Sequence, residues 1–188
     1  MKITLIYLAA GSSKRFGGEN KLLHPIGGVP MYRCLLDRLI KICARHEDMN
    51  IVVVSRYGEI AAYAEQCGIG YTDSPDSEKG ISHSIRAGLR TCSDSDACVF
   101  FTADQPYFTE ASAEGFLLFM KSVRHDLGCV SSGGESGNPV WFGRRYFGEL
   151  LALDGDRGGK RVMNAHLDEC VMYEIPDSRE LRDIDVKE

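Results

Sequence analysis

The chain has 188 residues, a length typical of one domain with a sizeable hydrophobic core. Hydrophobic residues make up 44% and charged residues 26% of the sequence, as in ordinary globular proteins. The formal net charge of −5 argues against a broad basic surface for nucleic acid. A small polyanion could still bind in a local pocket where Lys and Arg side chains cluster beside glycines. We therefore expect a single domain over residues 1–188.

Neither the cysteines nor the N-terminus indicates an extracellular or membrane protein. The seven cysteines are an odd number without a Cys-x-x-Cys pair, which argues against a disulfide framework or a zinc site and favours reduced thiols in the cytoplasm. The apolar run at residues 3–10 resembles a signal peptide, but it is short and lacks a convincing cleavage site, so we interpret it as a buried strand. No segment approaches the roughly 20 apolar residues of a transmembrane helix.

Predicted strands and helices alternate along the chain. Continuous apolar runs indicate strands covered on both faces, and apolar residues at helical spacing indicate amphipathic helices. The predicted elements, in chain order, are a strand at 3–8, a helix from Pro30 to 43, a strand at 50–54, a helix at 59–67, a strand at 69–72, a helix at 81–89, a strand at 97–102, a helix to 123 capped by Thr109, a strand at 127–131, a glycine-rich loop at 133–139, a strand at 140–142, helical segments near 147–151 and 162–163, and a strand at 170–175.

This alternation predicts an α/β fold with a mostly parallel sheet. In such sheets, ligands bind beyond the carboxyl ends of the strands. Two places meet that condition: the loop that follows Leu8 and the turn that contains Asp104.

The loop after Leu8 has the composition of a phosphate-binding loop. The small residues Ala9, Ala10, Gly11 and Ser12 allow backbone N–H groups to come close to a triphosphate, and the loop also carries Lys14, Arg15 and Lys21. Its spacing matches neither the dinucleotide fingerprint nor the P-loop. A surface loop with incidental charges is the alternative, but the position after a buried strand favours phosphate binding.

Together with Arg15, Phe16, Gly17 and the Lys-Leu-Leu string that begins at Lys21, this loop resembles the pattern of the NTP-transferase superfamily. The likeness is greatest to the molybdenum-cofactor cytidylyltransferase branch, although Phe16 stands where Met is usual and Lys21 lies one residue further along. The resemblance implies a three-layer α/β/α sandwich with a Rossmann-like, mostly parallel sheet of the nucleotide-diphospho-sugar transferase type. It also implies that Leu8 and residues 9–12 bind the nucleotide, and that Arg15 and Lys21 are catalytic cations.

Asp104 ends a predicted strand and is followed by Gln105 and Pro106. A carboxylate there can hold Mg²⁺ against phosphate oxygens, although a turn or helix-cap aspartate is the alternative. The family carries Asp-x-Pro at this point, and the resemblance implies a catalytic metal ligand. The family's C-terminal Asp-Ile-Asp string resembles residues 183–185, which implies that Asp185 completes the Mg²⁺ site, with Asp183 as the fallback.

Further strings resemble the family's nucleoside and acceptor sites. Ser74, Gly80 and Ser84 fall in a string that the family places beside the base and ribose, although a plain capped helix is the alternative. The guanylyltransferase branch has Leu-Ala-Gly-Gly at the first loop, so the Ala-Ala-Gly of this chain favours CTP.

The acceptor residues implied by the resemblance are Asn138, Pro139 and Arg157, for which an ordinary turn and a solvated helix start are the alternatives.

The resemblance therefore implies a magnesium-dependent transfer of CMP from CTP to the phosphate of molybdopterin, with release of pyrophosphate, and a molybdoenzyme that receives the product as a candidate partner. It indicates neither a nucleic acid nor a membrane partner. Two alternatives stay open. One keeps the chemistry and changes the acceptor to a sugar phosphate or another cofactor. The other is a non-catalytic nucleotide-binding accessory protein for a molybdoenzyme.

Overall fold

The structure is a computed structural model that describes residues 1–11 and 20–184. The strands are numbered in chain order: β1 Ile3–Ala9, β2 Pro25–Ile26, β3 Val29–Pro30, β4 Met49–Ser55, β5 Gly70–Asp73, β6 Ala97–Thr102, β7 Leu127–Ser132, β8 Glu135–Gly143 and β9 Val171–Glu174. The α-helices are α1 Met31–Arg45, α2 Gly58–Gln66, α3 Ile81–Leu89, α4 Glu110–Val123, α5 Phe147–Leu151 and α6 Gly159–Ala165. Short 3₁₀ turns include Lys21–Leu23, Pro75–Lys79 and Ser178–Leu181.

A seven-stranded sheet in the order β5-β4-β1-β6-β8-β7-β9 forms the centre of the fold. Strand β8 pairs antiparallel with β6 and β7, and the other neighbouring strands of the sheet pair in parallel. Strands β2 and β3 form a separate two-stranded hairpin. The predicted α/β fold with a mostly parallel sheet is therefore confirmed.

Helices cover both faces of this sheet, because successive strand residues point to opposite sides. On β1, the side chains of Ile3, Leu5 and Tyr7 pack in one core with α1, α2 and α4. Ile6 packs in a second core with α3, α5 and α6. The predicted three-layer α/β/α sandwich is thus confirmed.

Within the described residues, no helix is both long and apolar enough to cross a membrane. All seven cysteines are free thiols.

Local patterns placed most elements correctly, including the α4 cap, where the Thr109 hydroxyl accepts a hydrogen bond from the Ser112 N–H at 3.1 Å. The glycine-rich loop predicted at 133–139 was wrong in part. Strand β8 already begins at Glu135, because residues 135–137 pair with β7 across a bulge at Cys129/Val130. Val123, the last residue of the predicted helix α4, is exposed.

Helix α3 lies close against the sheet at Gly88. A Cβ atom there would lie 2.6 Å from Cγ2 of Ile6 and 3.1 Å from Cγ2 of Val54, two buried branched side chains in strands. We expect Gly88→Ala to lower the free energy of unfolding by about 1–3 kcal/mol, as overpacking of a filled core does. Urea denaturation measures the change.

Gly148→Ala is the matched control, because a Cβ at this helical position meets no atom within 4 Å. We expect that variant to be neutral or more stable by up to about 1 kcal/mol, since alanine favours a helix over glycine. Equal losses of stability in both variants would contradict the close approach of α3 to the sheet.

Candidate functional site

The candidate site lies where β1, β4, β5 and β6 end, at one edge of the sheet. These four strands are parallel neighbours, so their carboxyl ends meet there. Leu8 pairs with Thr102, and the Ala103 N–H donates to the Leu8 carbonyl at 3.0 Å. The start of the loop after β1 and the turn after β6 are therefore neighbours.

The end of β4 holds the start of the loop. The Ser55 hydroxyl donates to the Ala9 carbonyl at 2.7 Å, and the Tyr57 hydroxyl donates to the Gly11 carbonyl at 2.6 Å. Ala9 and Ala10 are buried, which agrees with the requirement for small residues here. The predicted site residues Ser12 and Arg15 lie outside the described residues.

Two residues predicted to be catalytic form an ion pair across the site. The Nζ atom of Lys21 lies 2.9 Å from Oδ2 of Asp104. The Lys21 side chain is only 10% exposed and that of Asp104 27% exposed. Lys21 begins a 3₁₀ turn that the Asn20 side chain caps by accepting from the Leu22 N–H at 3.0 Å. A charge this well buried needs a partner, and Asp104 supplies one.

A buried tyrosine lies near this pair. Burial, together with the negative charge of Asp104, raises the pKa of the Tyr7 hydroxyl well above its ordinary value. The hydroxyl therefore stays protonated and donates to the Tyr32 carbonyl at 2.7 Å.

Two side chains that no sequence motif indicated hold the turn that carries Asp104. Nη1 of Arg38, on α1, donates to the carbonyls of Pro106 at 2.8 Å and Phe108 at 2.7 Å. Gln105 is buried, and its Nε2 donates to the Leu181 carbonyl at 3.2 Å. These partners lie about 70 residues away in the chain, so no local motif could indicate them.

The C-terminal segment reaches the same turn. The Ile184 N–H donates to the Asp104 backbone carbonyl at 2.9 Å. Asp183, the fallback ligand, is exposed directly before it. Asp185, the predicted second metal ligand, lies outside the described residues.

The donors at this turn suit a divalent cation of the Mg²⁺ class. Asp104 offers carboxylate oxygens, which such hard cations prefer, and the contact with Ile184 brings the neighbouring Asp183 to this turn. The described residues contain no group of three His, Cys, Asp or Glu side chains that could hold a metal. Of the two predicted metal ligands, the structure describes Asp104, whereas Asp185 lies outside the described residues.

The residues predicted for the nucleoside also converge on this edge. The hydroxyl oxygens of Ser74 and Ser84 lie 3.2 Å apart, and both residues are buried. The Ser74 N–H donates to the Ser55 carbonyl at 2.9 Å, which joins β5 to the end of β4.

Gly80 lies where two segments come together. Its φ of +129° and the backbone of Gly155, which would lie 2.2 Å from an added Cβ, both exclude other residues. The Ser82 N–H also donates to the Gly155 carbonyl at 3.1 Å. The structure thus brings the segment that contains Arg157 against the start of α3. Arg157 itself is exposed, on an open depression of about 610 Å³.

The other predicted acceptor residues lie on β8. Asn138 is half-buried, Pro139 is buried, and the peptide bond between them is cis. Their neighbour Gly137 lies against the Leu181 side chain, where a Cβ would be 3.0 Å from Cδ2. The C-terminal segment therefore lies between β8 and the turn at Asp104.

The chain matches the family described as MobA-like NTP transferase domain over residues 5–170. It is 28% identical to the purine catabolism protein PucB of Bacillus subtilis, with 97% of this chain and 91% of that protein covered. It is 26% identical to a molybdenum cofactor guanylyltransferase of Vibrio atlanticus, with 88% of this chain and 80% of that protein covered.

The fold is similar to the crystal structure of Rv0371c from Mycobacterium tuberculosis, with a TM-score of 0.81 at 22% identity over 99% of this chain and 93% of that chain. A manganese complex of Rv0371c has a TM-score of 0.74 at 20% identity, over 94% of this chain and 90% of that chain.

We expect Arg38→Met to destabilise the protein by about 2 kcal/mol or more, because it removes a charged donor from two carbonyls of the Asp104 turn. The free energy of unfolding in urea measures this loss. Arg45→Met, on the same helix, is the matched control: Arg45 is 45% exposed and pairs with two surface glutamates. Its loss should be much smaller than that of Arg38→Met, because exposed ion pairs contribute little to stability. Equal losses would contradict a special role of Arg38.

Proposed function

Because the chain belongs to the MobA-like NTP transferase domain family, whose members are nucleotidyltransferases, we propose that it transfers CMP from CTP to the phosphate of a molybdopterin-type cofactor. The observation that carries this proposal is the contact of Lys21 with Asp104 beside the Ala-Ala-Gly loop. It joins a cation suited to a triphosphate with a carboxylate suited to a metal, at the sheet edge where α/β proteins bind ligands.

In the proposed reaction, an oxygen of the acceptor phosphate attacks the α-phosphorus of CTP in line. The bond from the α-phosphorus to the bridging oxygen breaks, and pyrophosphate leaves. Because a phosphate monoester is already ionised at pH 7, no strong general base is required. Positioning and charge neutralisation then supply the catalysis.

Each predicted residue has a place in this scheme. Backbone N–H groups of residues 8–12 cradle the triphosphate, and Arg15 and Lys21 stabilise negative charge on the departing pyrophosphate. Residues beside the base and ribose are Ser74, Gly80 and Ser84. Residues on the acceptor side are Asn138, Pro139 and Arg157.

Asp104 and Asp185 would hold Mg²⁺, with Asp183 as the fallback. When bound, the ion would supply positive charge to the phosphate oxygens. The manganese complex of Rv0371c supports a divalent cation in a protein of this fold.

Two further points concern the substrates. The loop reads Leu-Ala-Ala-Gly from Leu8 to Gly11, which supports CTP. GTP is the second candidate, because a relative that spans most of the chain is named a molybdenum cofactor guanylyltransferase. That name also supports a molybdenum-cofactor acceptor, and a molybdoenzyme in the cytoplasm would then receive the product. A different phosphorylated acceptor and a non-catalytic accessory role are the alternatives.

Pyrophosphate release, assayed with each of the four NTPs and with or without molybdopterin, separates these possibilities. We expect release with CTP only when molybdopterin is present, and at least about tenfold less with GTP, which corresponds to about 1.4 kcal/mol of discrimination. Asp104→Ala should abolish release. Because it also removes the partner of the buried Lys21 ammonium, circular dichroism checks that the variant is folded.

Other outcomes are equally informative. Preference for GTP would show that GTP is the nucleotide substrate. Release only with a sugar phosphate would show that the acceptor is a sugar phosphate. Nucleotide binding without release from any NTP would favour the accessory role. Normal release by Asp104→Ala would overturn the metal assignment.

A further inference from the structure

A buried carboxylate anchors the C-terminal segment near the site. Glu180 is 4% exposed and lies in the 3₁₀ turn Ser178–Leu181. Its Oε2 accepts from the Thr109 N–H at 2.7 Å, and its Oε1 accepts from the Ser112 hydroxyl at 2.9 Å. Thr109 caps α4, so the negative charge lies at a helix N-terminus, where it is stabilised.

The residues that follow this anchor lie along the Asp104 turn. The Leu181 carbonyl accepts from Gln105 at 3.2 Å, and the Leu181 side chain lies against Gly137 of β8. Ile184 is 4% exposed, and its N–H donates to the Asp104 carbonyl at 2.9 Å. The segment is thus held at its start by a charge and at its end by the backbone of Asp104.

This arrangement fixes Asp104 from two directions. Its carboxylate contacts Lys21, and its backbone carbonyl holds Ile184. Asp183 and Asp185 flank Ile184 in the sequence. Asp183, a carboxylate that could help to complete a metal site, therefore belongs to a described segment, residues 180–184. Among the described contacts of this segment to the 104–109 turn and α4, Glu180 is the charged anchor.

We propose that Glu180 is a positioning residue for the divalent cation: it holds residues 180–184 on the start of α4 and on the Asp104 turn, so that Asp183 stays beside that turn. This inference rests on the proposed function. Without the anchor, the segment must be ordered each time the cation binds, and the apparent affinity falls with the fraction of molecules in which it is ordered.

Binding of Mn²⁺, a spectroscopic stand-in for Mg²⁺, tests this role without turnover. Electron paramagnetic resonance measures free Mn²⁺ in titrations of the full chain, alone and with non-hydrolysable analogues of CTP and GTP. Hydrogen–deuterium exchange reports the protection of residues 176–184. We expect Glu180→Ala to bind Mn²⁺ about tenfold more weakly or worse, because two hydrogen bonds to a charged group are lost, and to lose protection at Ile184.

Three variants keep the test falsifiable. Glu180→Gln retains an acceptor for the Thr109 N–H and a donor for the Ser112 hydroxyl, so its affinity for Mn²⁺ should stay within about threefold of the wild type. Ser112→Ala removes one of the two bonds and should weaken Mn²⁺ binding by about threefold. Ser112→Ala decides the matter if Glu180→Ala does not fold.

Glu174→Ala is the matched control. The Glu174 carboxylate also accepts from a serine hydroxyl, Ser131 at 2.6 Å, and from a backbone N–H, Gly133 at 2.8 Å. It joins β9 to the β7–β8 hairpin instead of the Asp104 turn. We expect its Mn²⁺ affinity to equal that of the wild type.

The proposal fails if Glu180→Ala loses protection at Ile184 but binds Mn²⁺ as the wild type does, or if Glu174→Ala weakens binding as much. Asp104→Ala separates this failure from that of the proposed function. If Asp104→Ala still binds Mn²⁺ and releases pyrophosphate, the metal site itself is misplaced. If Asp104→Ala loses both while Glu180→Ala keeps wild-type affinity, only the positioning role is overturned.

Discussion

The parallel pairing of β1 with β6 is the constraint on which the candidate site depends. It places Leu8 opposite Thr102, so the segments that follow β1 and β6 leave the sheet side by side at the same edge. A small-residue loop and an acidic turn, separated by more than 90 residues in sequence, thereby become neighbours. Strands β4 and β5 end at the same edge and bring Ser55, Tyr57 and Ser74 to it. The side chains of the candidate site therefore come from neighbouring strand ends.

At this edge of the sheet, an ion pair and the contacts of its acidic residue hold the site together. The Lys21 ammonium is largely withdrawn from water and is matched by Asp104. The backbone of the Asp104 turn is in turn fixed by Arg38 from α1 and by Ile184 from the C-terminal segment. Helix α1 and the C-terminal segment therefore both hold the turn that carries Asp104. In the proposed reaction, the triphosphate would contact the Lys21 ammonium and the divalent cation would contact the Asp104 carboxylate.

The sequence predicted much of the fold because its elements have strong local patterns. The apolar runs of β1, β4 and β6 and the helical spacing in α1 need no knowledge of distant residues. The prediction was wrong where local composition and pairing disagree: residues 135–139 have turn-like composition, yet β8 begins at Glu135 because β7 offers a partner. The β2–β3 hairpin around Gly27 and Gly28 was missed for the lack of apolar alternation.

The candidate site divides in the same way. Motifs indicated Lys21 and Asp104, and the structure brings their side chains into contact. Arg38, Gln105 and Glu180 were missed, since each acts through a backbone carbonyl, a backbone N–H or a hydroxyl far away in the chain. Such residues leave no local signal, because an Arg, a Gln or a Glu at those positions would suit an ordinary surface equally well.

In the proposed reaction, Asp104 marks the cation site of a triphosphate-binding edge. Anomalous X-ray diffraction from crystals grown with Mn²⁺ and a non-hydrolysable CTP analogue would locate that cation. We expect a manganese peak within about 2.3 Å of an Asp104 carboxylate oxygen, with the triphosphate between it and the loop after β1. A manganese peak elsewhere, with Asp104 still bound to Lys21 alone, would contradict it.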